Sequence, residues 1–344
     1  MQCLGDGEIR KAQDLALTAL KRQPMNQMAM AVLGSAEDLK GDRQKADAWF
    51  RSASALGHRD YTVETYWAQR SLERGDLVGA AAHIDALLRA GWKGDPVKDL
   101  ALQLENIPAG RMQLVRVMIP TSPWAVGYLS TVSDLTPSQL AARRDTLLLI
   151  ADVPAALIES EKLRLAVPTI EALYRAKRFE EALSLRNKFP PFGPPAGIRD
   201  PLFKGLASEP TGPFDWKRGN DAGLDLQVGK GSAGQSGLIL SAVDPGRYIV
   251  ATQTVRLLPG THQLVLAGRS PSDAKAVLVV KMEGLENGEK LNPLSMRAPN
   301  EDAPSKAGFA VSGKDRYFRM VLSVEWSDGD ATPVEVSSIS ENVQ

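Results

Sequence analysis

The sequence predicts an α plus β protein in two domains, an N-terminal α-solenoid of helical hairpins followed by a C-terminal antiparallel β-sandwich. Three observations carry this reading. Gly41-Asp42 and Gly75-Asp76 repeat at a spacing of 34 residues within a region of helical periodicity. Beyond residue 213 the apolar positions alternate in short runs parted by Gly/Pro turns. Between the two, Pro190–Pro213 holds seven of the chain's 22 prolines in 24 residues, a density that excludes a helix interior or a central strand. The expected division is residues 1–189, a junction at 190–213, and residues 214–344.

The chain's 344 residues exceed one ordinary core. Lys+Arg and Asp+Glu balance at 41 each, so no basic field points to nucleic acid or anionic lipid. Cys3 is the single cysteine, which excludes an intrachain disulfide. With three separated histidines, His58, His83 and His262, it offers no zinc-ligand pattern, and no cofactor, metal or catalytic residue is expected. The longest apolar run, Thr146–Ile158, contains Asp152 and Pro154 and falls short of a membrane span; a buried helix segment is expected there.

The helical half is read in order as helices over 8–21, 26–39, 42–55, 60–73 and 76–90. Counting from the repeated glycine, Ala12, Ala46 and Ala80 correspond, then Ala16, Phe50 and Ile84, then Ala19, Ala53 and Leu87. This ladder is one helix face, small where a neighbour crosses closely and larger where a gap is filled. The unit resembles the tetratricopeptide repeat over Gly7–Trp92, although Ala68 replaces the small Gly34 and His58 and Trp92 stand where proline is usual. The first helix lacks a hairpin partner, so a missing upstream portion is expected, and an export signal would be lost with it. That places the protein in the periplasm or cell envelope if such a signal is missing, and otherwise in the cytoplasm.

Further on, a helix is expected from Asp95. Thr136-Pro137-Ser138-Gln139 reads as a capped N-terminus, and Glu161–Lys188 as a final helical pair. The resemblance implies a concave groove lined by each hairpin's first helix. Met28, Ala31, Ser35, Asp38, Thr62, Thr65, Gln69 and Glu73 are its expected lining, offered to a protein partner. The competing reading of these positions is a solvated helix face.

Strands are expected at 224–228, 237–242, 247–258, 262–270, 274–283, 308–312, 317–326 and 333–340. Their order, with Gln253–Arg269 as strand, Pro-Gly turn and strand, resembles the jelly-roll domains of carbohydrate-binding modules. That resemblance implies a glycan face of exposed aromatic rings, for which Trp216, Tyr248, Tyr317 and Trp326 are the candidates; the competing reading of each is core packing. Gly229–Gly234 satisfies G-x-G-x-x-G, but the following Leu238-Ile239-Leu240 reads as a strand, which removes the helix a dinucleotide site needs. The carboxylate pairs Glu180-Glu181 and Glu301-Asp302 read as solvated.

The function expected from the sequence is a non-enzymatic binding scaffold. One arm is a groove for a protein partner and the other a carbohydrate-binding-like sandwich, a pairing that resembles parts of bacterial envelope polysaccharide assembly or export. A polysaccharide-acting enzyme or its accessory subunit, and an adaptor without a glycan, are the alternatives. The apolar Phe192, Ile198, Leu202, Phe203 and Leu206 further predict that the junction is packed, fixing the sandwich against the last helices.

Overall fold

The computed structural model describes residues 8–57, 60–92, 94–118, 122–153, 159–190, 194, 196–207, 212–230, 236–270, 276–299, 304–327 and 333–343. Cys3, His58, Phe192, Gly231–Gly234 and Glu301-Asp302 lie outside them, as do residues 154–158 of the apolar run. The chain forms two compact units, 1–158 and 159–344. The division falls before the last helical pair, so that pair belongs with the sheets and not with the preceding helices. No helix among the described residues is long and apolar enough to cross a membrane.

In the first unit the helices are α1 (Ile9–Arg22), α2 (Gln27–Leu39), α3 (Arg43–Ser54), α4 (Tyr61–Arg74), α5 (Leu77–Arg89), α6 (Asp95–Asn106), α7 (Pro108–Met118), α8 (Pro123–Ser130) and α9 (Pro137–Ala151). The Gly-Asp signature has a direct physical role. Gly41 and Gly75 take φ of 80° and 72°, the left-handed conformation that closes a helix. The following Asp42 and Asp76 then cap the next helix, their carboxylates accepting from Lys45 N at 3.1 Å and Gly79 N at 2.9 Å. One dipeptide therefore stops α2 or α4 and starts α3 or α5.

The alanine ladder is the crossing seam. Ala46, Ala53, Ala68 and Ala80 are fully buried. Gly34 lies under the Phe50 ring, where an added Cβ would stand 2.8 Å from ring carbons, so only glycine permits this approach. Phe50 in turn stacks on Tyr66 with centroids 3.9 Å apart, joining one hairpin to the next. Thr136 and Gln139 form the expected reciprocal capping box at the start of α9.

The second unit holds α10 (Glu159–Arg175), α11 (Phe179–Arg186), a short 3-10 turn (Lys204–Ala207) and ten strands among the described residues. These are β1 (Lys217–Arg218), β2 (Leu224–Lys230), β3 (Ser236–Ala242), β4 (Gly246–Arg256), β5 (Gly260–Arg269), β6 (Ala276–Gly284), β7 (Leu294–Arg297), β8 (Ser305–Val311), β9 (Tyr317–Trp326) and β10 (Val334–Val343). They form two antiparallel five-stranded sheets, ordered β1-β4-β9-β6-β7 and β2-β3-β10-β5-β8. A single apolar core lies between them, with Leu238, Leu240, Leu264, Leu266 and Val336 from one sheet meeting Leu278, Val280, Leu322 and Val324 from the other. The strand β2 preceding Gly231–Gly234 is followed by the strand β3, not by a helix.

The described part of the proline-rich stretch packs into this unit except at Leu202, which is exposed contrary to expectation. Ile198, Phe203 and Leu206 enter the sandwich core. Gln253 on β4 brackets Arg199, accepting from its N–H at 3.2 Å and donating to its carbonyl at 2.9 Å. Beside it, Arg186 at the end of α11 is fully buried and grips Asp215 with two bonds of 2.8 and 2.9 Å, while its third nitrogen donates to Phe189 O. Burial, and then the neighbouring Arg186, depress the Arg199 guanidinium to about 10.

Candidate binding surfaces

The groove residues arise from helix phase. Every third or fourth position of α2 and α4 lies on one face, so Asp38 comes one turn after Ser35, and Gln69 and Glu73 follow Thr65. Met28, Asp38, Gln69 and Glu73 are exposed, whereas Ser35, Thr62 and Thr65 are half-buried. Ala31 departs from the expectation. It is 3% exposed and packs with Ala46, Phe50, Ala53 and Val63, so it belongs to the seam between helices and cannot line a groove.

Asp38, Gln69 and Glu73 converge on one concavity of about 80 Å³, completed by Arg43, Tyr66 and Arg70. Arg43 comes from α3 and joins only through packing, whereas Tyr66 and Arg70 share one stripe of α4 with Glu73, at spacings of four and three, so helix phase was able to mark them. Their signal is the aromatic next to a run of charges in Glu64–Arg74. Tyr66 donates to Asp47 at 2.7 Å, and Arg74 pairs with the other oxygen of the same carboxylate. Arg70 contacts Glu73 at 3.0 Å and Asp47 at 3.5 Å, and Arg43 reaches Glu73 at 3.4 Å. Burial acts to raise the Asp47 carboxyl, but the Tyr66 hydroxyl and then Arg74 and Arg70 outweigh it and hold the group below its ordinary value. Burial and Asp47 push the Tyr66 phenol well up, so it remains a neutral donor. The result is a polar concavity with both charge signs at its rim and a fixed aromatic wall.

On the sandwich the expected glycan face is not assembled. Trp216 is 2% exposed, packs 5.1 Å from the Phe203 ring and donates to Asp200 O. Tyr317 is covered by α11, its ring 5.3 Å from Phe179 and its hydroxyl bonded to Glu180, one of the carboxylates read from sequence as solvated. Trp326 is buried in the core against Tyr248, with centroids 6.0 Å apart. These three rings are core and docking residues, and a ring without an open face cannot stack on a sugar. Tyr248 alone of the four is half-exposed, its hydroxyl donating to Asp244 O at 2.9 Å.

The sandwich core accounts for the burial of Trp216 and Trp326, and the helices of the second unit for that of Tyr317. Tyr174 on α10 bonds Thr254 of β4 at 3.0 Å, and Arg256 on the same strand stands 3.5 Å from Glu180. One sheet is therefore covered on both faces at this end, by the core within and by α10 and α11 outside.

The sandwich is similar to solved carbohydrate-binding modules. TmCBM61 in complex with β-1,4-galactotriose aligns with a TM-score of 0.31 at 10% identity, over 43% of this chain and 99% of that one. The module CBM6cm-2 from Cellvibrio mixtus lichenase 5A, in complex with cellotriose, gives a TM-score of 0.24 at 10% identity over 38% and 98%. The CBM22-1 xylan-binding domain from Paenibacillus barcinonensis Xyn10C gives 0.26 at 11% identity over 37% and 85%. No family model and no curated protein matches the chain.

Proposed function

We propose that the protein is a non-enzymatic binding scaffold whose tetratricopeptide-like helical unit offers its groove to an extended segment of a partner protein. The observation that carries this is the concavity of Asp38, Arg43, Tyr66, Gln69, Arg70 and Glu73, built where consecutive hairpins meet. An extended peptide presents backbone donors and acceptors at regular intervals, and side chains such as Gln69 and Asp38 meet them without demanding one sequence. Arg70 and Glu73 supply opposite charges a few ångströms apart, which favours a segment carrying both signs and steers its register.

A photoreactive residue placed at Gln69 tests this, with a control at Arg51 on the exposed side of α3. Cross-linking to a defined partner at position 69 alone, lost in the Asp38→Lys/Glu73→Lys variant, is the expected result. Equal cross-linking at both positions, or full retention in the charge-reversed variant, would sink the groove.

Glycan binding by the sandwich is a second reading, favoured by the half-exposed Tyr248 ring braced edge-on by Trp326 at 64°. An immobilised polysaccharide panel with wild type and Tyr248→Ala tests it; retention that is absent, or unchanged by the substitution, removes Tyr248 from any such role. A part in polysaccharide assembly would follow only from a positive result there.

A further inference from the structure

The helical unit contains a second cavity, of about 270 Å³, that shares no residue with the groove. Leu88 of α5, Lys98 of α6 and Pro123, Trp124, Gly127 and Tyr128 of α8 form most of its lining. Two aromatic rings stand at its wall nearly perpendicular, 76° apart with centroids separated by 6.0 Å. Both are pinned from behind. The Trp124 indole N–H donates to Asp85 at 2.8 Å, and the Tyr128 hydroxyl donates to Glu105 at 2.8 Å.

Arg143, 1% exposed, completes the wall with its guanidinium carbon 4.2 Å from the centre of the Tyr128 ring. Its charge is not offered to the cavity. Nε and Nη2 bind Glu105 at 2.8 and 3.0 Å, and Nη1 donates to Tyr128 O, Leu129 O and Thr131 O at the end of α8. The Thr131 hydroxyl is likewise turned to Gly127 O at 2.8 Å. The wall is rigid and preformed, and its own polar groups are occupied, which leaves an apolar interior.

Lys98 differs. Its partner Asp134 is 3.4 Å away with a side chain 73% exposed, a water-screened pair that a ligand carboxylate can replace at little cost. A cavity of about 150 Å³ takes a benzene ring, so this one takes a body of about ten non-hydrogen atoms. We propose that the cavity binds a small organic acid, its aromatic or branched apolar body against Trp124 and Tyr128 and its carboxylate at Lys98.

The test uses the full chain and 3-phenylpropanoate, followed through the indole N–H resonance of Trp124, which Trp124→Phe assigns. A saturating shift at millimolar concentration or below is expected, the range ligands of this size reach. The isosteric 3-phenylpropanamide should bind about tenfold more weakly, and Lys98→Gln should erase that difference. Gly127→Leu should abolish binding of both probes. A Cβ at Gly127, which lines the cavity, meets nothing within 4 Å, so a side chain can start there without a backbone shift, and a melting curve at or above that of wild type confirms the fold of the variant. Absence of a saturable shift, equal binding of acid and amide, a preference that survives Lys98→Gln, or binding that survives Gly127→Leu in the folded variant would each overturn the proposal.

Discussion

Residues 9–89 and residues 95–151 belong to the same helical unit but hold together in opposite ways. The first stretch is a seam of small apolar side chains, with Ala46, Ala53, Ala68 and Ala80 fully buried; its pairs Arg43–Glu73 and Lys45–Asp42 lie at the surface, and Glu64 is buried against His83 beside the seam. The second abandons the period, and at its centre lies an ion pair, Arg143 with Glu105, both 1% exposed. Burial works against the Arg143 charge, but Glu105 more than compensates, and the guanidinium is held protonated. Periodic packing can fix a helix against its neighbour by shape alone. Where the helices are short and irregular, one guanidinium reaching three carbonyls and a carboxylate supplies the missing specification. The second unit does the same at its own irregular segment, where Arg186 clamps Asp215 and Phe189 O.

The sharpest way to break this contrast is to remove the clamp. Arg143→Met leaves Glu105 buried without its cation and should cost about 3–5 kcal/mol of helical-unit stability in a denaturant titration. The double variant Glu105→Gln/Arg143→Met should recover a large part of that loss, because no uncompensated charge remains. A single-variant loss below about 1 kcal/mol would mean that the ion pair is ornamental and apolar packing governs both stretches.

On the other side of the comparison, Ala46→Leu forces extra methylenes into a fully buried seam. The expected cost is about 1–3 kcal/mol, read as a lowered melting temperature. A neutral outcome would show slack between α3 and its neighbours and would remove the distinction in packing.

The sequence made these two stretches unequally legible. Expected helices at 42–55 and 60–73 are found at Arg43–Ser54 and Tyr61–Arg74, because Gly-Asp punctuation and alanine spacing are local signals. Strand β9 is found at 317–326 as its alternation indicates, but the first residue of its outward face, Tyr317, is covered by α11, which alternation alone does not reveal. Tyr317 is therefore a docking residue under α11, whereas Trp326 falls on the inward parity of β9 with Leu322 and Val324 and is core. Strands β1 and β7, of two and four residues, are too short to show a period. Asp38, Gln69 and Glu73 were legible from helix phase, and Tyr66 and Arg70 share the α4 stripe that ends at Glu73, whereas Arg43 joins them only through the packing of separate helices. The Trp124–Tyr128 wall depends on partners 23 and 39 positions away in sequence, Glu105 and Asp85, so no spacing rule marks it.

A smaller effect probes the start of α9, the helix that presents Arg143. Thr136→Ala removes the oxygen that accepts from Gln139 N and unmakes the reciprocal box. A loss of about 1 kcal/mol is expected, within the range for such caps. If it greatly exceeds that, fraying of α9 is also loosening Arg143, and the double variant Thr136→Ala/Arg143→Met should then cost less than the sum of the two single changes.

The smallest expected effect lies at the groove and reads as pH dependence. Asp47 is held below its ordinary value of 3.8 by Tyr66, Arg74 and Arg70 against the opposing effect of burial. A carboxyl with a depressed folded-state value binds its proton more readily when unfolded, so its contribution is fully present above the unfolded value. That contribution fades as pH falls through the folded value, where the native carboxylate too becomes protonated. Asp47→Asn should therefore lower the melting temperature modestly at neutral pH, and the gap to wild type should narrow below about pH 4. A gap that stays constant into acid would assign the loss to the altered hydrogen bond with Tyr66, and the charge pairing across the hairpin junction would then carry none of the groove's stability.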